Sequence, residues 1–422
     1  VANPPTHNAG TPSRAHAPGR TRATLLAVGP AFVAAIAYVD PGNVASNITA
    51  GSRYGYLLLW VLILANAIAV LVQYQSAKIG IVTGSSLPEI LGERLRTGPR
   101  RLYWVQAELV AAATDIAEVL GGAIALNLLF GLPLMVGGVI IGIASMGLLL
   151  VQSHRGQRSF ELVVITLLLV IVVGFVSGLL YSGLDPAAAV AGLVPRFAGT
   201  DSVLLATSML GATVMPHAIY LHSALARDRY GVTTDPQRVR ELLRFTRWDV
   251  GAALFVAGAV NIAMLLLAAS SLQGIAGTDT IAGAHAAVVT TLGPAVGFAF
   301  AIGLLASGLA STSVGTYAGA AIMGGLLKVR VPVFVRRVIT MVPALAVLAI
   351  GVDPTRALVL SQVVLSFGIP FAMIPLVWLA GSRATMGEFA NAPWLKWVGW
   401  ISTGLIIVIN VLLIVLVVTA SV

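Results

Sequence analysis

The feature that most narrows the folding options is a succession of apolar stretches separated by short connections that hold most of the charge. A bilayer core about 30 Å thick needs roughly 20 helical residues to cross it. A single water-soluble core has no use for so many segments of that length. Breaks at Pro, Gly and charge clusters divide the chain into eleven candidate spans, near 24–53, 55–80, 103–129, 132–152, 160–181, 202–226, 249–272, 286–327, 332–350, 356–380 and 396–420. Only 10% of residues are charged, against about 25% in soluble proteins. The reading is an all-α polytopic membrane protein. The eighth span exceeds one crossing and is expected to turn or leave the membrane after about Thr316.

The basic residues set the expected orientation. With residues 1–23 inside, only Arg53, Arg196 and Arg356 of the 25 lysines and arginines fall outside. The inner side holds Arg14, Arg20, Arg22, Lys78, Arg94, Arg96, Arg155, Arg158, the cluster Arg227–Arg247, Lys328, Arg330, Arg383 and Lys396, among others. An odd number of spans then puts the C-terminus outside. The net charge of +9 is thus accounted for by topology, and nucleic acid is not an expected partner. Residues 1–23 read as a disordered inner tail without the hydrophobic segment of a secretory signal, so the first span is expected to be retained. With no cysteine, disulfides, thiolate metal sites and iron–sulfur ligation are excluded.

Two spans carry a break. The first contains Ala37-Tyr38-Val39-Asp40-Pro41-Gly42-Asn43, and the sixth contains Gly211-Ala212-Thr213-Val214-Met215-Pro216-His217. Proline cannot donate to the carbonyl four residues back, so Pro41 should free the Ala37 carbonyl and Pro216 that of Ala212. Irregular backbone at membrane depth persists only inside protein or against a cavity. The breaks lie five spans apart, in spans 1 and 6, so the two helices run in opposite directions. This pattern matches five-plus-five inverted-repeat carriers that bind cargo at the repeat interface. The halves are expected at 24–181 and 202–380, with a peripheral eleventh helix at 396–420.

The half-helices before each break present carbonyls and the negative end of their dipole. With Asp40 at the end of the first, a cation is the expected occupant. Asn43 adds an amide oxygen. Met215 either packs in the core, as most methionines do, or supplies a soft sulfur that favours transition metals.

Asp40-Pro41-Gly42-Asn43 and Met215-Pro216-His217 resemble the hallmark strings of the natural resistance-associated macrophage protein (Nramp) family, proton-coupled manganese and iron transporters. The resemblance extends over nearly the whole chain outside the tail. It includes Ala107-Glu108 through Glu118 in span 3, Arg336-Arg337 opening span 9, and Ser361-Gln362 in span 10. It implies a leucine-transporter-type fold of ten core helices plus one. It further implies metal ligation by Asp40, Asn43, Met215 and the Ala212 carbonyl, with the Ala37 carbonyl and Gln362 joining in particular conformations. Magnesium-transporting relatives lack the methionine, so Met215 argues against that branch.

Span 3 also carries Glu108, Asp115 and Glu118. At about 100° per residue, Glu108 and Asp115 lie within roughly 20° of each other and Glu118 about 80° away. Acids in membrane helices face the bundle interior and often relay protons. Arg336 and Arg337 start span 9 on the same side as Glu108, so a route from Asp40 through these groups to the cytoplasm is expected. Buried ion pairs fixing spans 3 and 9 are the structural alternative, and both roles are compatible. His217 and His222 follow the second break, and His217 is a candidate for tuning the proton. Asn66 and Asn261 are candidates for interhelical hydrogen bonds, and Ser307–Ser313 for close helix packing.

The expected function is therefore a monomeric symporter of the bacterial cytoplasmic membrane. It would import Mn2+, with Fe2+ and Cd2+ as further candidates, together with H+, and would use no organic cofactor or covalent chemistry. The rivals are a cation-coupled symporter for an organic solute on the same fold, a channel or membrane enzyme, and a magnesium or calcium carrier. No His-Glu-x-x-His pattern supports a metallohydrolase.

Overall fold

The computed structural model describes residues 30–155, 157–329 and 331–420. The expected tail at 1–23 lies outside them, as do residues 24–29 of the first expected span and the basic residues Arg14, Arg20, Arg22 and Arg330.

The first span is α1 (Pro30–Ile36), a 3₁₀ turn at Ala37–Val39, and α2 (Pro41–Tyr54). Then come α3 (Leu59–Thr83), the short α4 (Leu87–Arg94), α5 (Thr97–Phe130), α6 (Leu134–Arg155), α7 (Gln157–Leu179) and the short α8 (Pro186–Ala191). The second broken span is α9 (Thr200–Thr213) and α10 (Pro216–Tyr230). It is followed by α11 (Pro236–Ser271), α12 (Ile281–Leu292), α13 (Pro294–Leu327), α14 (Val333–Ile350), α15 (Pro354–Gly381), α16 (Arg383–Met386) and α17 (Pro393–Ala420). No strand occurs among the described residues.

Eight helical units among the described residues are long and apolar enough to cross a membrane, with α9–α10 counted through its break. Shorter apolar helices among the described residues are Pro30–Val39 in the first broken span, Leu134–Leu148 in α6, and α12. The broken pairs lie at the centre: α2 packs against α11 and α9, α10 against α3, and α9 against α15. Helices α5 and α13 form a long seam made possible by small residues. A Cβ placed on Gly308 would stand 3.0 Å from the Gly122 backbone, so a larger residue there would push the two helices apart by a few tenths of an ångström.

Several helix limits differ from the expected spans. Of the two outcomes expected for the eighth span, the turn after Thr316 does not occur and the helix extends to Leu327. The break in this span is at Gly293–Pro294, where Gly293 takes φ 98° and Pro294 opens α13, which then runs unbroken to Leu327. Near Thr316 the hydroxyls bond back within the helix, Thr316 Oγ1 to the Thr312 carbonyl at 2.9 Å, and no proline interrupts the ladder. Spans 3 and 7 begin earlier than expected, at Thr97 and Pro236, because a helix can extend beyond its apolar part. Finally, α4 was not expected. Its start is fixed by a capping box in which the Ser86 hydroxyl and the Glu89 carboxylate satisfy each other's backbone N–H.

Candidate functional site

Asp40 stands both at the end of the 3₁₀ turn that closes the first half-helix and at the start of the second. The chain leaves α1 through the 3₁₀ turn, Asp40 is extended (φ −71°, ψ 167°), and its Oδ1 accepts the Asn43 N–H at 2.8 Å as the N-cap of α2. A carboxylate is favoured at this end of a helix, where free N–H groups and the positive dipole end converge. Its burial is thus offset locally, not left as an unrelieved penalty.

The carbonyls of the first break are largely committed. Tyr38 O accepts from Asn261 Nδ2 at 2.7 Å and Val39 O from Ser307 Oγ at 2.6 Å. Ala37 lies in the 3₁₀ turn, where backbone bonds run between i and i+3.

At the second break the freed carbonyl is used. Pro216 has no N–H, and Ala212 O instead accepts from Asn43 Nδ2 at 2.8 Å. The same Nδ2 donates to Asp40 Oδ1 at 2.8 Å, so one amide group bridges the two broken helices. Asn43 Oδ1 faces the other way and accepts from Thr213 Oγ1 at 3.4 Å. From α15, Gln362 Nε2 reaches Asp40 Oδ2 at 3.5 Å, while Gln362 Oε1 is buried without a partner. Helix α15 comes this close because a Cβ on Gly211 would overlap the Gln362 carbonyl. Met215 caps the start of α10 at the break. Asp40, Asn43, Ala212, Met215 and Gln362 all have 0% exposure, so the site is closed from both faces.

The acids of α5 form a graded line. Glu108, a quarter exposed, makes a two-pronged pair with Arg336, at 2.8 Å (Nη2 to Oε1) and 3.1 Å (Nη1 to Oε2). Deeper, Arg337 Nη1 meets Asp115 Oδ1 at 2.9 Å and Arg337 Nε donates to Ser145 Oγ at 3.0 Å, both ionic partners being buried. Glu118 is 1% exposed, lies against Gly315, and its Oε2 has no partner. One turn further along α5, Gly121 abuts the Pro41 ring, so the stripe leads to the first break. His217 Nδ1 lies 3.3 Å from Thr114 Oγ1 on α5, between the second break and the acids.

Sequence reasoning missed several groups that hold the breaks. Gln73 bridges the Tyr38 hydroxyl and His222 Nδ1, the latter at 2.7 Å, closing the basic face of the site. Asp249 of α11 accepts the Ala31 N–H of α1 at 3.3 Å. It caps that half-helix from a different span. Its signal was a carboxylate at the edge of an apolar segment, read as a boundary. On the opposite face, Arg53 joins Asp201 at 3.0 Å and Asp279 at 2.7 Å beside a cavity of about 440 Å3.

A bundle of helical passes with two broken members meeting at a buried polar point defines a secondary carrier of the leucine-transporter type. The chain belongs to the Nramp family: residues 31–416 match the family described as natural resistance-associated macrophage protein-like. It is 59% identical over 392 residues to a protein of Mycobacterium tuberculosis named divalent metal cation transporter MntH, covering 93% of this chain and 92% of that one. A Bacillus subtilis protein of the same name is 47% identical over 399 residues, covering 93% of each. The fold superimposes on a crystal structure of the Eremococcus coleocola manganese transporter with TM-score 0.84 and 31% identity, covering 94% of this chain and 88% of that chain. The fold alone is shared with MhsT, solved in complex with L-phenylalanine, at TM-score 0.60 and 15% identity. These relatives are transporters, not enzymes.

Proposed function

We propose that this protein imports divalent transition metal, Mn2+ first and Fe2+ or Cd2+ as alternatives, in symport with protons across the bacterial cytoplasmic membrane. The observation that carries the reading is the Asn43 amide held between Asp40 Oδ1 and the Ala212 carbonyl inside a fully closed break. Those two oxygens converge on one positively polarised group. A cation at that place would take the same oxygens, with Asn43 turning its carbonyl inward and Met215 adding sulfur. The names of the relatives support metal as the cargo.

Among the described residues no group of three or more His, Asp or Glu is placed to hold a metal ion. One carboxylate with neutral donors suits cargo better than a resident ion, because transported ions must also leave. The thioether favours manganese, iron and cadmium over magnesium and calcium. Gln362 and the Ala37 carbonyl would join as the helices move.

Asp40 must be deprotonated to ligate, so metal binding releases a proton. In this reading the proton passes by His217 and Glu118 to Asp115–Arg337 and Glu108–Arg336, and out at the basic face. The N-terminus and the basic face lie in the cytoplasm, the C-terminus outside, and one chain suffices. Inverted halves at 24–181 and 202–380 rock about the site, with α1 swinging to open it inward.

Reconstitution in liposomes with manganese, iron, cadmium, calcium and magnesium, while internal pH is followed, tests this. Asp40→Ala should abolish manganese uptake, and Met215→Ala should erode discrimination against calcium. Glu118→Gln should impair proton entry more than metal binding. Intact manganese uptake and selectivity in both Asp40→Ala and Met215→Ala would remove the site. Binding of an organic solute without any metal-dependent flux would favour the solute-symporter reading.

A further inference from the structure

The segment joining α15 to α17 folds, through α16 and a 3₁₀ turn at Gly387–Phe389, into the wall of a cavity of about 600 Å3 on the basic face. Its polar lining includes Arg383, Glu388, Asn391 and Lys396. Glu388 is already paired, with Arg240 Nη2 at 2.9 Å. Arg383 and Lys396 have no carboxylate partner among the described residues. The Lys396 stem lies along Gly381, where a Cβ would stand 3.1 Å from its Cε, so its apolar part is packed and its ammonium carried outward.

Asn391 supplies a second, independent sign. It is 4% exposed and its Oδ1 accepts from the buried Lys78 Nζ at 2.8 Å, yet its Nδ2 has no partner. A buried N–H group without an acceptor is costly, and the residue that carries it lines the cavity beside two cations without a carboxylate partner. The missing chemistry is an anionic oxygen acceptor.

The surroundings fix what carries that oxygen. Trp394 and Trp397 at the start of α17 are 66% and 69% exposed, and Trp378 near the end of α15 is 54% exposed. The Arg94 guanidinium sits 5.5 Å over the Trp378 ring. Exposed tryptophans on membrane helices mark headgroup depth, and basic residues there attract acidic lipid. The long apolar face of α17 beyond them offers a track for acyl chains.

We propose that this cavity is a binding site for the phosphodiester of an anionic phospholipid, held by Arg383, Lys396 and Asn391 Nδ2. The lipid joins α15 to α17 and so bears on the helix that carries Gln362.

The test is native mass spectrometry of the purified full chain titrated with phosphatidylglycerol or phosphatidylcholine of matched chains. One phosphatidylglycerol should be retained in preference to phosphatidylcholine. Arg383→Gln/Lys396→Gln should weaken that retention about thirtyfold, the effect of two basic side chains near an acidic headgroup. The near-isosteric Asn391→Asp, which exchanges the free donor for an acceptor, should weaken it as well, whereas Arg238→Gln, whose residue is paired with Glu241, should not. Unchanged retention in both cavity variants overturns the proposal. So does full displacement by chain-free glycerol phosphate at the same concentration, which would make the cavity a soluble-anion site. Equal retention of the two lipids also overturns it.

Discussion

Replacing Arg337 with methionine keeps an unbranched, flexible side chain but a shorter one, and removes the charge and hydrogen bonds of the buried guanidinium. In the native protein this guanidinium has 0% exposure and holds Asp115 at 2.9 Å and Ser145 at 3.0 Å. Arg337→Met therefore strands a carboxylate that is itself 4% exposed. Breaking a buried pair from one side costs about 3–5 kcal/mol, because the remaining charge is left uncompensated. Exchanging both partners for apolar residues of similar volume is close to neutral. The Arg337→Met/Asp115→Leu double variant should thus recover most of the loss, giving a coupling energy of at least about 2 kcal/mol. Equilibrium unfolding of all four species in mixed micelles reads this directly. A single variant costing under about 1 kcal/mol, or a double variant as damaged as the sum of the singles, refutes the reasoning. If the double variant folds and binds manganese but no longer acidifies liposomes, the same experiment separates the structural role of the pair from a role in carrying protons.

Gly211→Ala drives a Cβ into the Gln362 carbonyl and should cost about 1–3 kcal/mol by overpacking; native thermal stability and metal affinity would contradict the close contact. Asp249→Ala removes the cap on α1, worth about 1 kcal/mol, and should shift the chain roughly fivefold toward the state with α1 released. Because the protein has no cysteine, Ala31→Cys provides a unique thiol whose labelling should quicken in the Asp249→Ala background, and an unchanged rate would count against the latch. Burial raises the Glu89 carboxyl, but the Ser86 N–H and hydroxyl and the Arg227 guanidinium outweigh it and hold the group below its ordinary 4.5. A depressed carboxyl stabilises above its unfolded pKa and loses that contribution as pH falls through the folded one. The stability difference between the native chain and Glu89→Gln should therefore stay flat between about pH 6 and pH 8 and shrink only below its ordinary 4.5; a difference that changes between neutral pH and about pH 6 would show that another group is titrating.

What could be read from sequence was local. Pro41 and Pro216 announce their breaks because a missing N–H acts on the same helix, and Glu108, Asp115 and Glu118 share a face because helical spacing is fixed. The pairing of that stripe with Arg336 and Arg337 followed from both sitting at the same end of their spans. That Asp40 closes one half-helix and also caps the next was not legible, since it depends on backbone angles at a single residue. Gly293–Pro294 carries the local signal for the break inside the eighth span. Asp249, Gln73 and Ser307 act on residues far away in the chain, and no local pattern marks them. The short α4, by contrast, was legible in Ser86-Leu87-Pro88-Glu89, a capping box hidden by the search for apolar length.

The Asn43 amide has a consequence for the empty carrier. A device that moves cargo one way must also reset with nothing aboard, and two broken helices that both direct oxygen atoms at one point would then repel each other. An amide has a positive and a negative end on a single pivot. As it stands, with Nδ2 between the Asp40 and Ala212 oxygens and Oδ1 on the Thr213 hydroxyl, it would, under the proposed function, stand in for the cargo and let the halves close on an empty seat; turned over, it would help to grip the passenger. The reset would then need no second ion. An aspartate at this place would strengthen the grip and stall the return, leaving a protein that exchanges metal for metal but cannot accumulate it.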